Sequence, residues 1–473
     1  MTYPTGKEEV LSAILVGVQL PGVFDSEQSA SLQELERLVT TLSYRVIGKM
    51  SQKRKSTRGA EILGPGKLAE LARWTGGSGI VAPRVVHKKS KAAAKFGETT
   101  ENQDQDDDHD DLEESLPDES LAHEAPPAEL AQVVIFDCDL SPSQLRNLDS
   151  ATGAQVMDRT GVIIEIFNRH ARTRASRMQV EIARLTYMAP RIRETTGGED
   201  RGGGGVGGKG AGETSVELDR RRIRDRIKEL KTELESIGQE HLTRRSRREQ
   251  ENCVALVGYT NAGKSSLMRA LTGSDVLVAN KLFATLDTTV RAIAPETRPK
   301  ILISDTVGFI KKLPHDLVAS FKSTLDEALN ASLLLYVVDA ADPSFRSQLD
   351  VTKQVLSEVG AGGTPSLLIL NKRDCLSDEQ AQGLKAEYPE AFFLSTRKSE
   401  DVAQLRNKLI SFFEQDMVEE ELLIPYTIQG VIGEIRAKMK VTGERYDENG
   451  VNLRVLANPE DLSRIKAKLA GVL

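Results

Sequence analysis

Apolar residues in the first third of the chain recur in patterns that predict alternating strands and helices. Short apolar runs predict strands at residues 13–18, 44–47 and 133–136, and helical spacing predicts helices at 32–42, 68–74 and 145–148. Alternation of the two kinds of element is typical of an α/β domain. The pattern therefore predicts an N-terminal α/β domain over residues 1–165.

Two longer stretches after this domain each carry one apolar stripe. The stripes consist of Ala175, Met178, Ile182 and Leu185 in the first stretch and of Ile223, Ile227, Leu230, Leu234 and Ile237 in the second. Spacings of three and four residues place such positions on one face of a helix. Because each stripe needs an apolar partner, the pattern predicts an antiparallel helical hairpin over residues 166–250.

The second half of the chain predicts two further domains. Apolar runs at residues 253–257, 301–303 and 367–370 read as buried strands, and each runs into a polar loop. They predict an α/β domain over residues 251–416. The remaining residues, 417–473, contain two shorter apolar runs and a helical pattern from Pro459, which predict a small C-terminal α/β domain.

The loop after the run at 253–257 has the composition of a phosphate cradle. In a strand–loop–helix setting, backbone N–H groups of a glycine-rich loop wrap phosphates, and the helix N-terminus adds its positive end. Lys264 is expected to reach the outer phosphates and Ser265 to hold magnesium. The residues predicted to bind nucleotide here are Gly258, Tyr259, Thr260, Asn261, Ala262, Gly263, Lys264, Ser265 and Ser266.

Two later loops indicate which nucleotide is bound. The second strand ends in Asp305, Thr306, Val307 and Gly308, where the aspartate can hold the magnesium shell and the glycine N–H can face the terminal phosphate. The third ends in Asn371, Lys372, Arg373 and Asp374. A carboxylate at Asp374 can accept from the N1–H and exocyclic amine of guanine, which adenine lacks. Together the loops predict a Ras-like P-loop GTPase domain with a mostly parallel sheet that binds GTP and GDP.

An acidic insertion dominates the charge of the chain. The 473 residues carry a net charge of −7, but residues 98–129 hold fourteen Asp and Glu and no Lys or Arg, so the rest carries +7. A segment this charged cannot bury enough apolar surface to order itself, which predicts a disordered insertion over residues 96–130. Metal binding around His109 is a minor alternative, and a second hypothesis is that the insertion mimics RNA phosphates and shields basic surface.

The lack of a recognisable targeting signal and the spacing of the cysteines favour a cytoplasmic protein. The apolar run at residues 10–20 is too short to span a bilayer, and it lacks the basic leader and cleavage site of a signal peptide. The three cysteines show no metal-binding or redox spacing, so they are expected to be reduced thiols. We expect a monomer.

The predicted hairpin has an unusual tip. Residues 197–212 contain ten glycines with Arg201 and Lys209 among them, whereas a plain connection between helices needs only a few residues. Two interpretations stay open: a flexible loop without a function, or a mobile cationic finger that enters an anionic partner. Arginines on both arms favour contact with RNA phosphates. They are Arg169, Arg172, Arg174, Arg177, Arg184, Arg191, Arg193, Arg220, Arg221, Arg222, Arg224, Arg226, Arg244, Arg245, Arg247 and Arg248.

Several motifs resemble those of the HflX-type ribosome-associated GTPases. The resemblance is carried by the phosphate loop, by residues 283–287, and by residues 305–310 leading into 313–318. Outside the GTPase core, residues 140–148, 158–160 and 210–221 look like the family's N-terminal domain and hairpin. The resemblance covers nearly the whole chain except the insertion. It implies binding to the large ribosomal subunit and its rRNA, with a role in splitting or rescuing stalled ribosomes or in ribosome assembly.

The same resemblance assigns further site residues. Ser265 and Thr285 would be the two magnesium ligands, Thr285 closing on the γ-phosphate, and Asp305 would hold the metal through water. Lys264, Thr285 and Gly308 would be the catalytic residues. The predicted nucleotide contacts also include Phe283, Ala284, Thr285, Leu286 and Asp287 in one segment and Ser395, Thr396 and Arg397, whose backbone would donate to the guanine carbonyl, in another.

Two positions bear on the rate of hydrolysis. Phe309 stands where Ras-like enzymes have a glutamine that orients the attacking water, so hydrolysis is expected to be slow until a partner, the ribosome, rearranges the site. Asn261 occupies a position at which related GTPases bind potassium, and a loop-bracing role is equally open. His315 is interpreted as structural.

Three functional hypotheses compete at this stage. The leading one is a GTPase that docks on the ribosome with GTP and is reset by hydrolysis. A nucleotide-gated RNA-binding module with incidental turnover is the alternative. A metabolic P-loop kinase is disfavoured by the guanine-reading loop at 371–374 and by the lack of a recognisable second-substrate site.

Overall fold

The computed structural model describes residues 10–57, 59, 62–81, 129–192, 215–246, 251–273, 282–283, 288–312 and 327–470. The glycine-rich loop at 197–212 and all but the last two residues of the acidic insertion lie outside them, as do Thr285 and His315. The chain divides into two compact units, Met1–Arg159 and Thr160–Leu473.

The first unit is a parallel sheet flanked by helices. Its elements are β1 (Ser12–Gln19), α1 (Asp25–Thr41), β2 (Arg45–Lys53), α2 (Pro65–Thr75), β3 (Val133–Phe136), α3 (Pro142–Thr152) and β4 (Gln155–Asp158). The strand order is β2-β1-β3-β4, and every neighbouring pair is parallel. All eight residues of β1 are buried, as expected of a central strand covered on both faces. The structure confirms the predicted α/β fold class of this domain.

A buried arginine crosslinks the first unit. Arg159 is 1% exposed, and its guanidinium donates to Asp137 Oδ1 at 2.7 Å and to the carboxylate of Glu34. Ser31 donates from its hydroxyl to the other oxygen of Asp137. Charges this deeply buried persist only when they are paired and hydrogen-bonded. The motif at residues 158–160 therefore contributes a structural crosslink.

The hairpin is present in the second unit. It follows α4 (Arg159–His170) and consists of α5 (Arg174–Met188) and α6 (Ser215–Ser246). Met178, Ile182 and Leu230 form its buried centre, and the other stripe residues that pack on them are Leu185, Ile227, Leu234 and Ile237. Ion pairs Arg174–Glu233 and Arg226–Glu181 run in opposite order along the two helices, so the helices are antiparallel.

The larger domain of the second unit is a six-stranded sheet. Its elements are β5 (Asn252–Val257), α7 (Lys264–Thr272), β6 (Thr289–Ala292), β7 (Ile301–Asp305), β8 (Leu333–Asp339), α8 (Phe345–Glu358), β9 (Ser366–Asn371), α9 (Asp378–Glu387), β10 (Phe392–Phe393) and α10 (Ser399–Glu414). The order is β10-β9-β8-β5-β7-β6, parallel except for β6 against β7. Because β5, β7, β8 and β9 pair in parallel, their carboxyl ends lie at one edge of the sheet, where ligands of open α/β sheets bind.

A small antiparallel sheet ends the chain. The sheet has the strand order β11-β13-β12 and consists of β11 (Val418–Ile424), β12 (Lys440–Tyr446) and β13 (Val451–Ala457). Two helices belong to the same domain, α11 (Gln429–Lys438) and α12 (Pro459–Ala470). Alternate residues of β13 are buried, so one face of the sheet packs on the helices. No helix in the described parts of the chain combines the length and apolar character needed to cross a lipid bilayer.

Candidate nucleotide-binding site

The phosphate loop lies between β5 and α7, and its glycines are required by their surroundings. Gly263 has a φ of +97°, and a Cβ on it would lie 2.2 Å from Nδ2 of Asn371. At Gly258 a Cβ would meet the carbonyl oxygen of Val337 at 2.1 Å. The loop can therefore close tightly over the strand ends only with glycine at these positions. Helix α7 begins at Lys264, which aims its first N–H groups at the loop.

A buried ammonium group lies inside the loop. Lys264 is 6% exposed, and its Nζ donates to the carbonyl oxygens of Gly258 at 3.0 Å and Tyr259 at 2.8 Å. Burial lowers the pKa of Lys264 to about 8, against the opposing attraction of Asp305. At neutral pH the group is still mostly protonated, and a phosphate in the loop would raise its pKa and further favour the charged form. The arrangement is a preformed anion site.

Two oxygen ligands suited to magnesium meet beside the loop. The Ser265 hydroxyl donates to Asp305 Oδ2 at 2.6 Å, and Asp305, the last residue of β7, is fully buried. Magnesium prefers hydroxyl, carboxylate, phosphate and water oxygens, so this pair fits it. Among the described residues there is no cluster of three His, Cys, Asp or Glu side chains that could hold another metal.

The loop that follows β7 lies directly on the phosphate loop. Phe309 N donates to Gly258 O at 3.1 Å, and Thr260 N donates to Phe309 O at 2.8 Å. A Cβ on Gly308 would come within 3.0 Å of Lys264 Nζ and 2.8 Å of the Thr260 methyl group. Glycine at 308 thus allows the close approach that the predicted γ-phosphate contact needs.

The residues predicted to read guanine gather at the ends of β9 and β10. Asn371 donates from Nδ2 to Ala262 O at 2.9 Å, which ties this loop to the phosphate loop. The Ser395 hydroxyl donates to Asp374 Oδ1 at 2.6 Å, and Arg397 approaches Oδ2 at 3.4 Å. The Ser395 hydrogen bond is the main cause that lowers the pKa of Asp374 below 3.8, so the carboxylate stays ionised.

Two acidic residues that sequence reasoning missed brace this end of the site. Asp339, the last residue of β8, accepts from Lys372 Nζ at 2.6 Å, and Lys372 itself has a φ of +61°. Asp401, in the first turn of α10, accepts from Ser395 N at 2.8 Å. Neither lies in a recognisable motif. Asp339 could have been suspected only because it ends a buried apolar strand, as Asp305 does.

The structure brings most of the predicted residues to one edge of the sheet. These are the phosphate loop, residues 305–308, residues 371–374 and residues 395–397. Ala284, Thr285, Leu286 and Asp287 lie outside the described residues. Phe283 is 2% exposed, and its ring packs edge-on against Phe167 of α4 at a centroid distance of 4.6 Å. Its contact with nucleotide stays a prediction.

Comparison with protein families matches most of the chain. Residues 29–86 and 119–168 match a family described as GTP-binding GTPase N-terminal. Residues 170–248 match the GTP-binding GTPase Middle Region, and residues 253–372 match a family described as 50S ribosome-binding GTPase.

Curated relatives carry the name GTPase HflX. The relative from Gluconacetobacter diazotrophicus is 55% identical over 465 residues, which span 98% of this chain and 99% of its own length. The relative from Escherichia coli is 40% identical over 306 residues, 64% of this chain and 72% of its own. Among solved structures, a GTP-binding protein from Sulfolobus solfataricus in complex with GDP is 24% identical, with a TM-score of 0.40, and covers 84% of this chain and 100% of its own.

Proposed function

The chain belongs to the HflX family of GTPases and hydrolyses GTP to GDP and phosphate, and from this premise we propose that it acts on the large ribosomal subunit as a GTP-driven switch. In this proposal GTP binding favours docking on the subunit, and hydrolysis resets the protein. One observation supports the proposed switch. The loop 305–309 is hydrogen-bonded to the phosphate loop, at the position where a γ-phosphate would be sensed. The cellular task is to split or rescue stalled ribosomes or to assist ribosome assembly.

The chemistry rests on positioning of the phosphates. Lys264 compensates charge on the outer phosphates, and the Gly308 N–H stabilises the γ-phosphoryl group as charge develops. Ser265, Asp305 and the predicted ligand Thr285 would hold magnesium, which when bound neutralises charge on the β- and γ-phosphates. Asn261 has a φ of +61° and is exposed at the loop. A potassium site there is our proposal for a second cation.

Slow intrinsic turnover follows from Phe309. Its side chain is 3% exposed and has no group that can hydrogen-bond to an attacking water. Water must therefore be oriented by another group after a rearrangement, and we propose that docking on the ribosome supplies it. We also propose that the protein is cytoplasmic and monomeric.

Ribosome contact is supported by the charge of the hairpin. Arg220, Arg221, Arg222 and Arg224 are all exposed on α6. Such a run suits phosphate contacts with rRNA, because arginine offers several fixed donors and stays charged. The family description that matches residues 253–372 names the 50S subunit. The glycine-rich loop at 197–212 would reach further into the rRNA.

The alternative is a nucleotide-gated RNA-binding module in which turnover is incidental. Phe309 favours it, because a site without a water-orienting side chain can bind GTP and turn it over slowly. The two proposals differ in whether RNA binding accelerates hydrolysis.

The docking proposal is tested by cosedimentation with purified large subunits. We expect binding to be tighter with a non-hydrolysable GTP analogue than with GDP. Replacing Arg220, Arg221 and Arg224 by Glu should abolish this binding while GDP affinity is retained; matched reversals at Lys466 and Lys468, in the C-terminal domain, serve as the control. Equal binding of the hairpin variant and the parent protein would refute an arginine-mediated contact.

A further inference from the structure

Tyr259 makes a hydrogen bond that nucleotide binding does not need. Its ring is 4% exposed, and its hydroxyl oxygen accepts from the backbone N–H of Lys311 at 2.6 Å. The phosphate cradle is built from backbone N–H groups, so any side chain that fits would serve at position 259 for phosphate binding. The hydroxyl instead reaches the loop after β7. This contact indicates that the Tyr259 hydroxyl affects how readily that loop moves.

Among the described residues, three hydrogen bonds fasten this loop to the phosphate loop. Two are backbone bonds on either side of Phe309, to Gly258 and Thr260, and the third is the bond from Lys311 to the Tyr259 hydroxyl. Between these anchor points Phe309 and Ile310 are 3% and 1% exposed. Immediately after them Lys312 has a φ of +56°, so the chain turns there. We call residues 308–311 the switch segment.

The third bond differs from the other two in being made by a side chain. Any residue except proline can make the backbone bonds, whereas only a tyrosine at 259 carries a hydroxyl at this distance. The bond is part-buried, with Tyr259 buried and Lys311 partly exposed, so its loss leaves the amide with limited access to water as a substitute partner. It therefore adds to the free energy needed to move the switch segment.

We propose that Tyr259 is a positioning residue that holds the switch segment in a resting arrangement with Phe309 buried. Hydrolysis requires a rearrangement that brings a water-orienting group to the γ-phosphate, and breaking the bond between Tyr259 and Lys311 is part of it. This inference rests on the GTPase activity of the family and not on the ribosome proposal. Tyr259 thereby sets the intrinsic rate without contacting the reacting atoms.

Tyr259→Phe tests this inference because it removes the hydroxyl and keeps the ring. GTP turnover by the full chain without ribosomes should rise about two- to tenfold, the factor that corresponds to the net contribution of one hydrogen bond. Affinities for GTP and GDP should stay within about twofold, since the cradle is unchanged. Tyr446→Phe, at an exposed tyrosine of the C-terminal domain, is the matched control and should change neither quantity. Turnover that is unchanged, or that falls together with nucleotide affinity, overturns the inference.

Amide hydrogen exchange gives a second test. In the parent protein with GDP, the Lys311 amide should be protected, and Tyr259→Phe should remove that protection. The Lys311 amide should also stay protected with a non-hydrolysable GTP analogue, because the bond persists until the rearrangement that precedes hydrolysis. Loss of this protection on binding of the analogue alone would overturn the inference even if turnover of the variant had changed. Failure of ribosomes to stimulate the parent protein would refute only the ribosome proposal.

Discussion

At the scale of single residues, Asp374 is the residue that we propose determines which base is bound. Its carboxylate is fixed by Ser395 and can pair with the two guanine donors. Asp374→Asn should lower GTP affinity about tenfold to a hundredfold, since a hydrogen bond to a charged group contributes roughly 1.5–3 kcal/mol. The variant should gain affinity for xanthosine triphosphate, whose base offers an oxygen where guanine has an amine. Competition titrations measure both, with the exposed Asp378→Asn as control; unchanged GTP preference would contradict the assignment.

The lowered pKa of Asp374 also leads to a prediction of how GDP affinity depends on pH. The pKa of Asp374 is lowered, first by the Ser395 hydroxyl, so its charge is lost only when the pH falls through that lowered pKa. The contribution of Asp374 to GDP affinity should therefore be constant between about pH 7 and 5. Ser395→Ala should raise the pKa of Asp374 and move the acidic loss of affinity to higher pH. Identical pH profiles of the two proteins would show that the hydroxyl does not hold the carboxylate.

At the scale of elements, the hairpin depends on a very small core. Leu230 is 1% exposed between the two helices, and a buried leucine replaced by alanine costs about 2–5 kcal/mol. Leu230→Ala should make peptides of α5 and α6 exchange amide hydrogens faster, whereas GDP affinity stays unchanged. Leu218→Ala, at an exposed leucine of the same helix, should have little effect. Equal exchange in both variants would mean that the helices do not stabilise each other.

Helices and strands could be predicted from the sequence where only one face of the element is buried or where its apolar run is long. The hairpin stripes, β1, β3 and the strands of the GTPase domain satisfy this condition. Strand β4 contains only two apolar residues, Val156 and Met157, and in α4 the successive residues Val162, Ile163 and Ile164 are all at most 5% exposed, so burial is not confined to one stripe. A helix buried around its circumference has no helical period of polarity. Asp339 and Asp401 reach the site only through folding, so no local pattern marks them.

At the scale of the whole molecule, charge is divided between an acidic insertion and a basic remainder. Removing residues 98–128 would eliminate thirteen carboxylates and leave Glu129, which pairs with Arg45 of β2. If the insertion competes with RNA for basic surface, affinity for rRNA should rise at low salt and the gain should vanish at high salt, because screening shortens the range of such competition. A replacement of equal length with Ser and Gly controls for length. Unchanged RNA affinity at low salt would leave the insertion without this role.

The central claim is a GTPase whose turnover is gated by the ribosome. The most direct measurement is GTP turnover by the parent protein while purified large subunits are titrated in, compared with a variant whose loop at 197–212 is shortened. We predict a saturable stimulation of at least about tenfold, the scale of a gain of 1.4 kcal/mol in transition-state stabilisation, which the shortened loop weakens. A rate that stays constant at every subunit concentration would contradict the claim.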